Sequence, residues 1–113
     1  MRCLLRAKIH RAVITDANPE YIGSITIDEE LLKKVDIWPG EKVLIADVDN
    51  GARFETYVVA GKPGSGTVCV NGSAAKLVNK GEKLIIMAFE YTDSPIIAKV
   101  ALVDERNRFT RSL

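Results

Sequence analysis

The sequence predicts a compact, mainly β barrel with two short helices. Short apolar stretches recur along the chain, and several show the alternation of apolar and polar side chains that is typical of a half-buried strand. Turn signals built from glycine, proline and asparagine separate these stretches at close intervals. Only two segments have a helical pattern, which is too few for a doubly wound sheet.

The first predicted strand covers residues 3–15. Its two faces differ in polarity, with Leu5, Ala7, Ile9 and Val13 on one face and Arg6, Lys8 and His10 on the other. A turn is predicted at Asp16, Asn18 and Pro19. The stretch that follows, to residue 28, favours a second strand that contains the pair Gly23-Ser24.

Residues 27–37 form the first predicted helix. Asp28 is a suitable N-cap, and a single stripe collects the apolar side chains Ile27, Leu31, Leu32 and Val35. Pro39 and Gly40 are expected to end this helix.

The second half of the chain is more plainly β. Residues 42–48 and 53–59 flank Asn50-Gly51, a strong hairpin signal. Residues 61–66 favour a flexible loop, and 67–70 a strand. Residues 71–78 favour a turn and a short helix. The last two predicted strands are 83–91 and 99–107.

The bulk composition predicts one soluble, cytoplasmic domain spanning residues 1–113. Hydrophobic residues make up 47% of the chain and charged residues 27%, which argues against disorder. With 16 basic and 15 acidic residues, the chain lacks the excess of positive charge that favours binding to nucleic acid or to a membrane surface. Cys3 and Cys69 are too far apart for a metal-type pair, and His10 is the only histidine, so no metal site is expected.

The pair Gly23-Ser24 has two interpretations. As a common dipeptide it marks a bulge or a bend in a strand. Alternatively, the Ser24 hydroxyl attacks the preceding carbonyl, since glycine permits distorted dihedrals and leaves the path of attack open. Loss of the acyl group by elimination, followed by hydrolysis, would then leave a pyruvoyl group at the head of a new chain.

Three further clusters carry candidate chemistry, each with a plainer alternative. Lys8 and His10 share a strand face and could hold a carboxylate, or simply lie on a solvated edge. Arg53 and Tyr57 could clamp a carboxylate and deliver a proton, or form cross-strand pairs. Asn71-Gly72 could open an anion cradle, or an ordinary helix cap.

The order of four motifs resembles the aspartate 1-decarboxylase family. "KIHRA" near the start is followed by "YIGSITID", then "NGARFETY" and "VNGSAA", at compatible spacing from about Met1 to Phe89. The resemblance implies a double-psi β-barrel that assembles as a homotetramer. It also implies a pyruvoyl cofactor made from Ser24 by self-cleavage between residues 23 and 24.

The resemblance also implies individual roles. Thr56 would hydrogen-bond the Gly23 carbonyl during the acyl shift, and Tyr57 would be the proton donor. Lys8 and Arg53 would bind a substrate carboxylate, with His10 and Tyr21 nearby. The pocket would be lined by Asn71 and the backbone of the four residues that follow it, Gly72, Ser73, Ala74 and Ala75.

The implied reaction is the decarboxylation of L-aspartate to β-alanine and CO2 for pantothenate biosynthesis. It would proceed through a Schiff base with the pyruvoyl group, which serves as an electron sink. Arg53 would pair with the carboxylate that stays, because a clamp on the leaving carboxylate would oppose the reaction. Whether cleavage is spontaneous or needs an accessory maturation protein is left open.

Three departures from the family pattern bear on maturation rate and fine specificity. Ala46 stands where many members have an aromatic residue, Ser73 replaces an alanine, and Asn18-Pro19 replaces Asp-Leu. The main alternative function is a non-catalytic double-psi barrel that binds a partner or serves as a scaffold. A DNA-binding barrel is a weaker alternative, given the balanced charge.

Overall fold

The computed structural model describes all residues 1–113 and is mainly β, as predicted. It contains nine strands, one short α-helix and one 3₁₀ helix. In chain order these elements are β1 (Arg2–Val13), β2 (Asp16–Asn18), β3 (Ser24–Asp28), α1 (Glu29–Val35), β4 (Lys42–Asp47), β5 (Arg53–Gly61), β6 (Val68–Asn71), the 3₁₀ helix (Gly72–Leu77), β7 (Lys83–Thr92), β8 (Lys99–Val103) and β9 (Phe109–Ser112).

All nine strands belong to one hydrogen-bonded sheet, in the order β2-β6-β3-β5-β4-β7-β1-β8-β9. Three pairs are parallel, namely β1 with β8, β2 with β6 and β3 with β5, and the other pairs are antiparallel. Since parallel neighbours cannot be joined by a tight hairpin, the chain must cross over between these pairs. Strand β3, which begins with the cleavage candidate Ser24, has β5 as its parallel neighbour and β6 as its antiparallel neighbour.

The long first strand is bulged, which corrects its predicted faces. Register shifts interrupt its pairing with β7 between Leu5 and Ala7 and between His10 and Ala12, and Arg11 has a φ of 70°. A bulge adds one residue to one strand and reverses the alternation beyond it. Ala12 is consequently buried, and Val13, which was predicted to face the core, is only half-buried.

The segment before the cleavage candidate also differs from the prediction. Of the residues predicted to form a turn, Asp16 and Asn18 lie in the short strand β2, which pairs in parallel with β6, and Pro19 lies in the turn that follows. The strand that was predicted to contain Gly23 begins only at Ser24. Gly23 therefore lies at the entrance of β3 and does not interrupt it.

The helix α1 starts as predicted but ends earlier. The Asp28 side chain accepts a hydrogen bond from the Glu30 backbone N–H, which confirms Asp28 as the N-cap. The helix ends at Val35 because Asp36 adopts a left-handed conformation with φ 60°. Pro39 and Gly40 lie beyond this end, so they do not terminate the helix.

The second half largely follows the prediction. Strands β4 and β5 form the antiparallel hairpin around Asn50-Gly51, where Gly51 has a φ of 77°. The predicted second helix is a 3₁₀ helix, and the last predicted strand ends at Val103. Strand β9 was not predicted from the sequence; it pairs with β8 after a turn in which Asp104 accepts hydrogen bonds from the backbone N–H groups of Arg106 and Arg108.

A single cluster of 22 buried apolar residues forms the core. Every strand except β2 and β9 contributes to it, and α1 adds Leu31, Leu32 and Val35. No helix of the structure has the length and apolar character that a membrane crossing requires.

Candidate functional site

Ser24 and Asn71 form the centre of the candidate site. They face each other as a register pair where β3 runs antiparallel to β6, and only 2% and 4% of their surfaces are exposed. The Asn71 amide Nδ2 donates to the Ser24 hydroxyl oxygen at 3.1 Å and to the Thr26 hydroxyl oxygen at 3.2 Å. A buried serine hydroxyl thus accepts a hydrogen bond at the point where the sequence predicts backbone cleavage.

Gly72 packs directly against the backbone of Gly23. A Cβ added at Gly72 would lie 2.6 Å from the Gly23 Cα and 2.9 Å from the Gly23 nitrogen. Gly72 also has a φ of 72°, which disfavours any side chain. By contrast, Gly23 has no positive φ, and a Cβ there would meet nothing within 4 Å. The conformational freedom that the sequence analysis ascribed to Gly23 is thus needed at Gly72.

Thr56 approaches the cleavage candidate through the parallel pairing of β3 and β5. Ile25 pairs with Val58, and continuing this register back by two residues aligns Thr56 with Gly23. The Thr56 side chain is half-buried, and no hydrogen bond joins its hydroxyl to the Gly23 carbonyl. Its position is compatible with the predicted contact, which stays a prediction.

Arg53 and Tyr57 lie on the other face of β5. Both are exposed, Tyr57 to 43%, and the pairing of β5 with β4 has no register shift between them. The strand is therefore regular here, and no bulge turns Thr56 to the side that Arg53 and Tyr57 share. Within one chain, Arg53 and Tyr57 point away from the face that carries Thr56.

Lys8 and His10 lie far from Ser24 in the strand order. Strand β1 is separated from β3 by β7, β4 and β5, and no hydrogen bond or ion pair links either residue to Ser24. The side-chain nitrogens of Lys8 and Arg53 make no ion pair within the chain. Both cations are thus free to pair with an added carboxylate.

The environment of His10 disfavours its charged form. Burial lowers the pKa of His10 below its ordinary value of 6.5, and the positive charges of Lys8 and Arg11 lower it further. The ring atom Nδ1 is buried without a hydrogen-bond partner. The imidazole is therefore neutral at physiological pH, with one unsatisfied polar atom.

The remaining predicted site residues surround the Gly72 contact. The Tyr21 carbonyl oxygen lies 3.4 Å from the position of a Gly72 Cβ, while the Tyr21 residue as a whole is 60% exposed. Ser73 is exposed, Ala74 is half-buried and Ala75 is buried in the first turns of the 3₁₀ helix. Ala46 is the β4 residue that pairs with Arg53, so the departure from the family pattern lies beside the predicted carboxylate clamp.

Two residues near Ser24 were missed by the sequence analysis. Thr26 and Cys69 both contact the Asn71 side chain, Cys69 through its thiol at 3.2 Å. Each lies two positions from a predicted site residue, Thr26 from Ser24 and Cys69 from Asn71. Because side chains two apart on a strand share a face, this spacing was a usable signal.

Five surface cavities of the single chain have no wall residue among Ser24, Arg53 and Tyr57; the one between α1 and β9 measures about 420 Å³. No group of three or more histidine, cysteine, aspartate or glutamate side chains is placed to hold a metal ion.

Comparisons with known proteins match almost the entire chain. The family model described as aspartate decarboxylase matches residues 1–110. The chain is 52% identical to an aspartate 1-decarboxylase of Pseudothermotoga lettingae, in an alignment that covers 96% of each protein. It is 49% identical to that of Caldicellulosiruptor bescii and 51% identical to that of Neisseria meningitidis. These two alignments cover 96% and 95% of this chain and 88% and 87% of the relatives.

Proposed function

The chain belongs to the aspartate decarboxylase family, and from this membership we propose that it removes the α-carboxylate of L-aspartate to give β-alanine and CO2. It is a carboxy-lyase whose product feeds pantothenate biosynthesis. The proposal includes a single catalytic domain over residues 1–113, a double-psi barrel topology and a cytoplasmic location. Identity of about 50% over nearly the whole chain supports the reaction.

The proposed cofactor is a pyruvoyl group made from Ser24. The Ser24 oxygen bonds to the Gly23 carbonyl carbon, and the peptide C–N bond breaks to leave an ester, while the hydroxyl proton passes to the freed amine nitrogen. Elimination then removes the Cα proton of residue 24 and breaks its Cβ–O bond, which releases residues 1–23 with a free carboxylate. Water finally replaces the nitrogen, which leaves as ammonia. The ketone that results supplies an electron sink for decarboxylation.

The observation that carries this proposal is the hydrogen bond from the Asn71 amide to the buried Ser24 oxygen. A donor aimed at that oxygen stabilises the negative charge that builds up as the hydroxyl loses its proton. Thr56, aligned with Gly23, is proposed to hold the Gly23 carbonyl as it becomes tetrahedral. No metal is proposed, because the chain supplies its own electrophile.

The substrate is proposed to be held through its carboxylates. Arg53 and Lys8 are the cations assigned to this task, and Arg53 pairs with the carboxylate that remains in the product. Neutral His10 and Tyr21 complete the binding surface, with Asn71 and the backbone of residues 72–75. Tyr57 donates the proton to the carbon that loses CO2.

The site is proposed to form between two subunits of a homotetramer. Ser24 shares a face of the sheet with Tyr57 and Arg53, because the β3–β5 register aligns Ser24 with Tyr57. Lys8, in contrast, lies on β1, which β7, β4 and β5 separate from β3. Since a single chain separates Lys8 from Ser24 in the strand order, a second copy that presents its own Lys8 would complete the site. Exposed apolar side chains, including Tyr21, Ile22 and Tyr57, offer surface for such contacts.

Intact-mass spectrometry of the purified protein under denaturing conditions tests the proposal. We expect two species, residues 1–23 and a pyruvoyl-headed chain of residues 24–113. Ser24→Ala should give one uncleaved species without activity, whereas Tyr57→Phe should cleave normally and turn over at least about tenfold more slowly. Incubation of uncleaved wild-type protein alone also establishes whether an accessory maturation protein is needed.

Normal decarboxylation by Ser24→Ala would refute the pyruvoyl assignment. Uncleaved wild-type protein that stays inactive after incubation at raised temperature, with and without cell extract, would favour the non-catalytic barrel instead.

A further inference from the structure

The buried side chain of Asn71 has two chemically different ends, and each meets a different kind of partner. Its amide nitrogen donates to the hydroxyl oxygens of Ser24 and Thr26. Its carbonyl oxygen accepts a hydrogen bond from the Cys69 thiol, with 3.2 Å between sulfur and oxygen. All the polar atoms of this amide are therefore engaged.

Of these three partners, only Cys69 distinguishes the two ends of the amide. Serine and threonine hydroxyls either donate or accept, so they could pair with the oxygen as readily as with the nitrogen. A thiol has a proton to donate to the amide oxygen, whereas its sulfur is only a weak acceptor for an N–H group. Rotation of the amide by half a turn would hence cost only the Cys69 interaction.

The surroundings of Cys69 keep its thiol protonated. Burial raises the pKa of this thiol, and the negative charge of Asp16 raises it further. Asp16 is the register neighbour of Cys69, where β2 pairs with β6. A protonated thiol can donate to the Asn71 oxygen, which a thiolate could not do.

We propose that Cys69 is a positioning residue for self-cleavage, whose thiol proton fixes the Asn71 amide with its nitrogen toward Ser24. This inference rests on the proposed function, in which the Ser24 oxygen attacks Gly23. In the fixed orientation, the amide N–H stabilises charge on the attacking oxygen as its proton leaves. In the rotated orientation, the Asn71 oxygen would accept a hydrogen bond from the Ser24 hydroxyl, which would keep the proton on the Ser24 oxygen.

Two matched pairs of variants test the donor separately from the packing. Cys69→Ser and Cys69→Thr keep a hydrogen-bond donor, whereas Cys69→Ala and Cys69→Val lack one, and threonine and valine have nearly the same shape. The measurement is the rate constant of cleavage of uncleaved protein, followed by intact mass. We expect Cys69→Ala and Cys69→Val to cleave about tenfold more slowly than the wild type. The serine and threonine variants should stay within about threefold of it.

Cleavage of the alanine and valine variants at the wild-type rate would overturn the inference. Equal slowing in all four variants would also overturn it, because it would assign to Cys69 a packing role only. The urea midpoint of each variant shows whether a slow variant is also a poorly folded one.

An infrared measurement tests the same hydrogen bond without any cleavage. In a Cys3→Ser, Ser24→Ala chain, Cys69 is the only thiol and the backbone stays intact. Its S–H stretching band should lie at lower frequency than in the same chain with Asn71→Ala. An unchanged band would show that Cys69 does not donate to Asn71. Because this result needs no pyruvoyl chemistry, it separates a failure of the inference from a failure of the proposed function.

Discussion

At the residue scale, the contact between Gly72 and Gly23 is the tightest constraint on the cleavage candidate. The two glycines come from segments that are distant in sequence, and their backbones approach so closely that neither β-branched nor small side chains fit at position 72. A methyl group there must push the Gly23 backbone away or unfold the turn. The geometry of the proposed attack by Ser24 therefore depends on Gly72, which contributes only its backbone to the site.

Gly72→Ala should slow self-cleavage by about 100-fold or more, because a displacement of the reacting atoms by about 1 Å costs that factor. Gly81→Ala is the matched control, since Gly81 also has a positive φ, of 91°, but an added Cβ meets nothing within 4 Å. Both variants should lose about 1 kcal/mol of folding stability, because alanine is disfavoured in the left-handed conformation. Intact mass over time gives the two rates, and equal rates would contradict the steric argument.

His10 should make the fold less stable in mild acid. Its pKa is lower in the folded chain than its ordinary 6.5, so the unfolded chain binds the proton more readily. The stabilisation from this site is complete above about pH 6.5 and declines as the pH falls from there toward the lowered folded pKa. His10→Gln should remove this part of the decline.

Urea unfolding of uncleaved Ser24→Ala protein, with and without His10→Gln, measures the effect between about pH 7.5 and about pH 5. The difference in unfolding free energy between the two proteins should change with pH, in the direction that favours His10→Gln in acid. Parallel profiles would contradict the assignment.

At the scale of elements, Asp28 joins three parts of the chain. Its buried carboxylate caps α1 through the Glu30 N–H and also accepts the backbone N–H groups of Gly64 and Gly66, at 3.0 and 2.8 Å. Asn107 and Arg108 hold the same loop through its carbonyl oxygens. The glycine-rich loop 61–66, predicted as a flexible connection, is thus anchored between β3, α1 and the turn before β9.

Asp28→Asn should lower the free energy of unfolding by about 1–3 kcal/mol, because an amide nitrogen cannot accept one of these N–H groups. The exposed Asp36→Asn change serves as the control, since asparagine tolerates the left-handed conformation at that helix end. It should stay within about 0.5 kcal/mol of the parent. Urea unfolding in the uncleaved Ser24→Ala background compares them, and similar losses in both variants would argue against the anchoring role.

At the scale of the whole molecule, one chain presents the parts of the candidate site in separate places. Ser24, Asn71 and Gly72 lie together at the junction of β3 and β6, whereas Lys8 lies on β1, which β7, β4 and β5 separate from β3. Small domains often complete a site with a second copy, since closed symmetry repeats every surface. This arrangement predicts that different subunits can supply the serine and the lysine.

Co-expression of Ser24→Ala and Lys8→Ala chains, each with its own affinity tag, tests the shared site. Mixed oligomers purified through both tags should recover up to about a quarter of the wild-type turnover, because that fraction of sites pairs an intact Ser24 with an intact Lys8. Activity no higher than the average of the two parent proteins would place both residues in one subunit.

The amino-acid sequence by itself determined the local features of this protein. Asp28 as N-cap and the Asn50-Gly51 turn follow from side-chain and backbone preferences over a few residues, and both are confirmed. The strand pattern predicted a mainly β chain correctly. The order of the four motifs identified the family without any knowledge of the fold.

Only the tertiary structure decided which of these features meet. Ser24 and Asn71 are 47 residues apart, and their hydrogen bond depends on the pairing of β3 with β6. The bulge at Arg11 reverses the faces of β1 beyond it, so the alternation read from the sequence failed at Val13. The short strands β2 and β9 are defined by their pairing with β6 and β8, respectively. The physical reason is the same in each case, because strand register is set by packing and pairing between distant segments and not by local propensity.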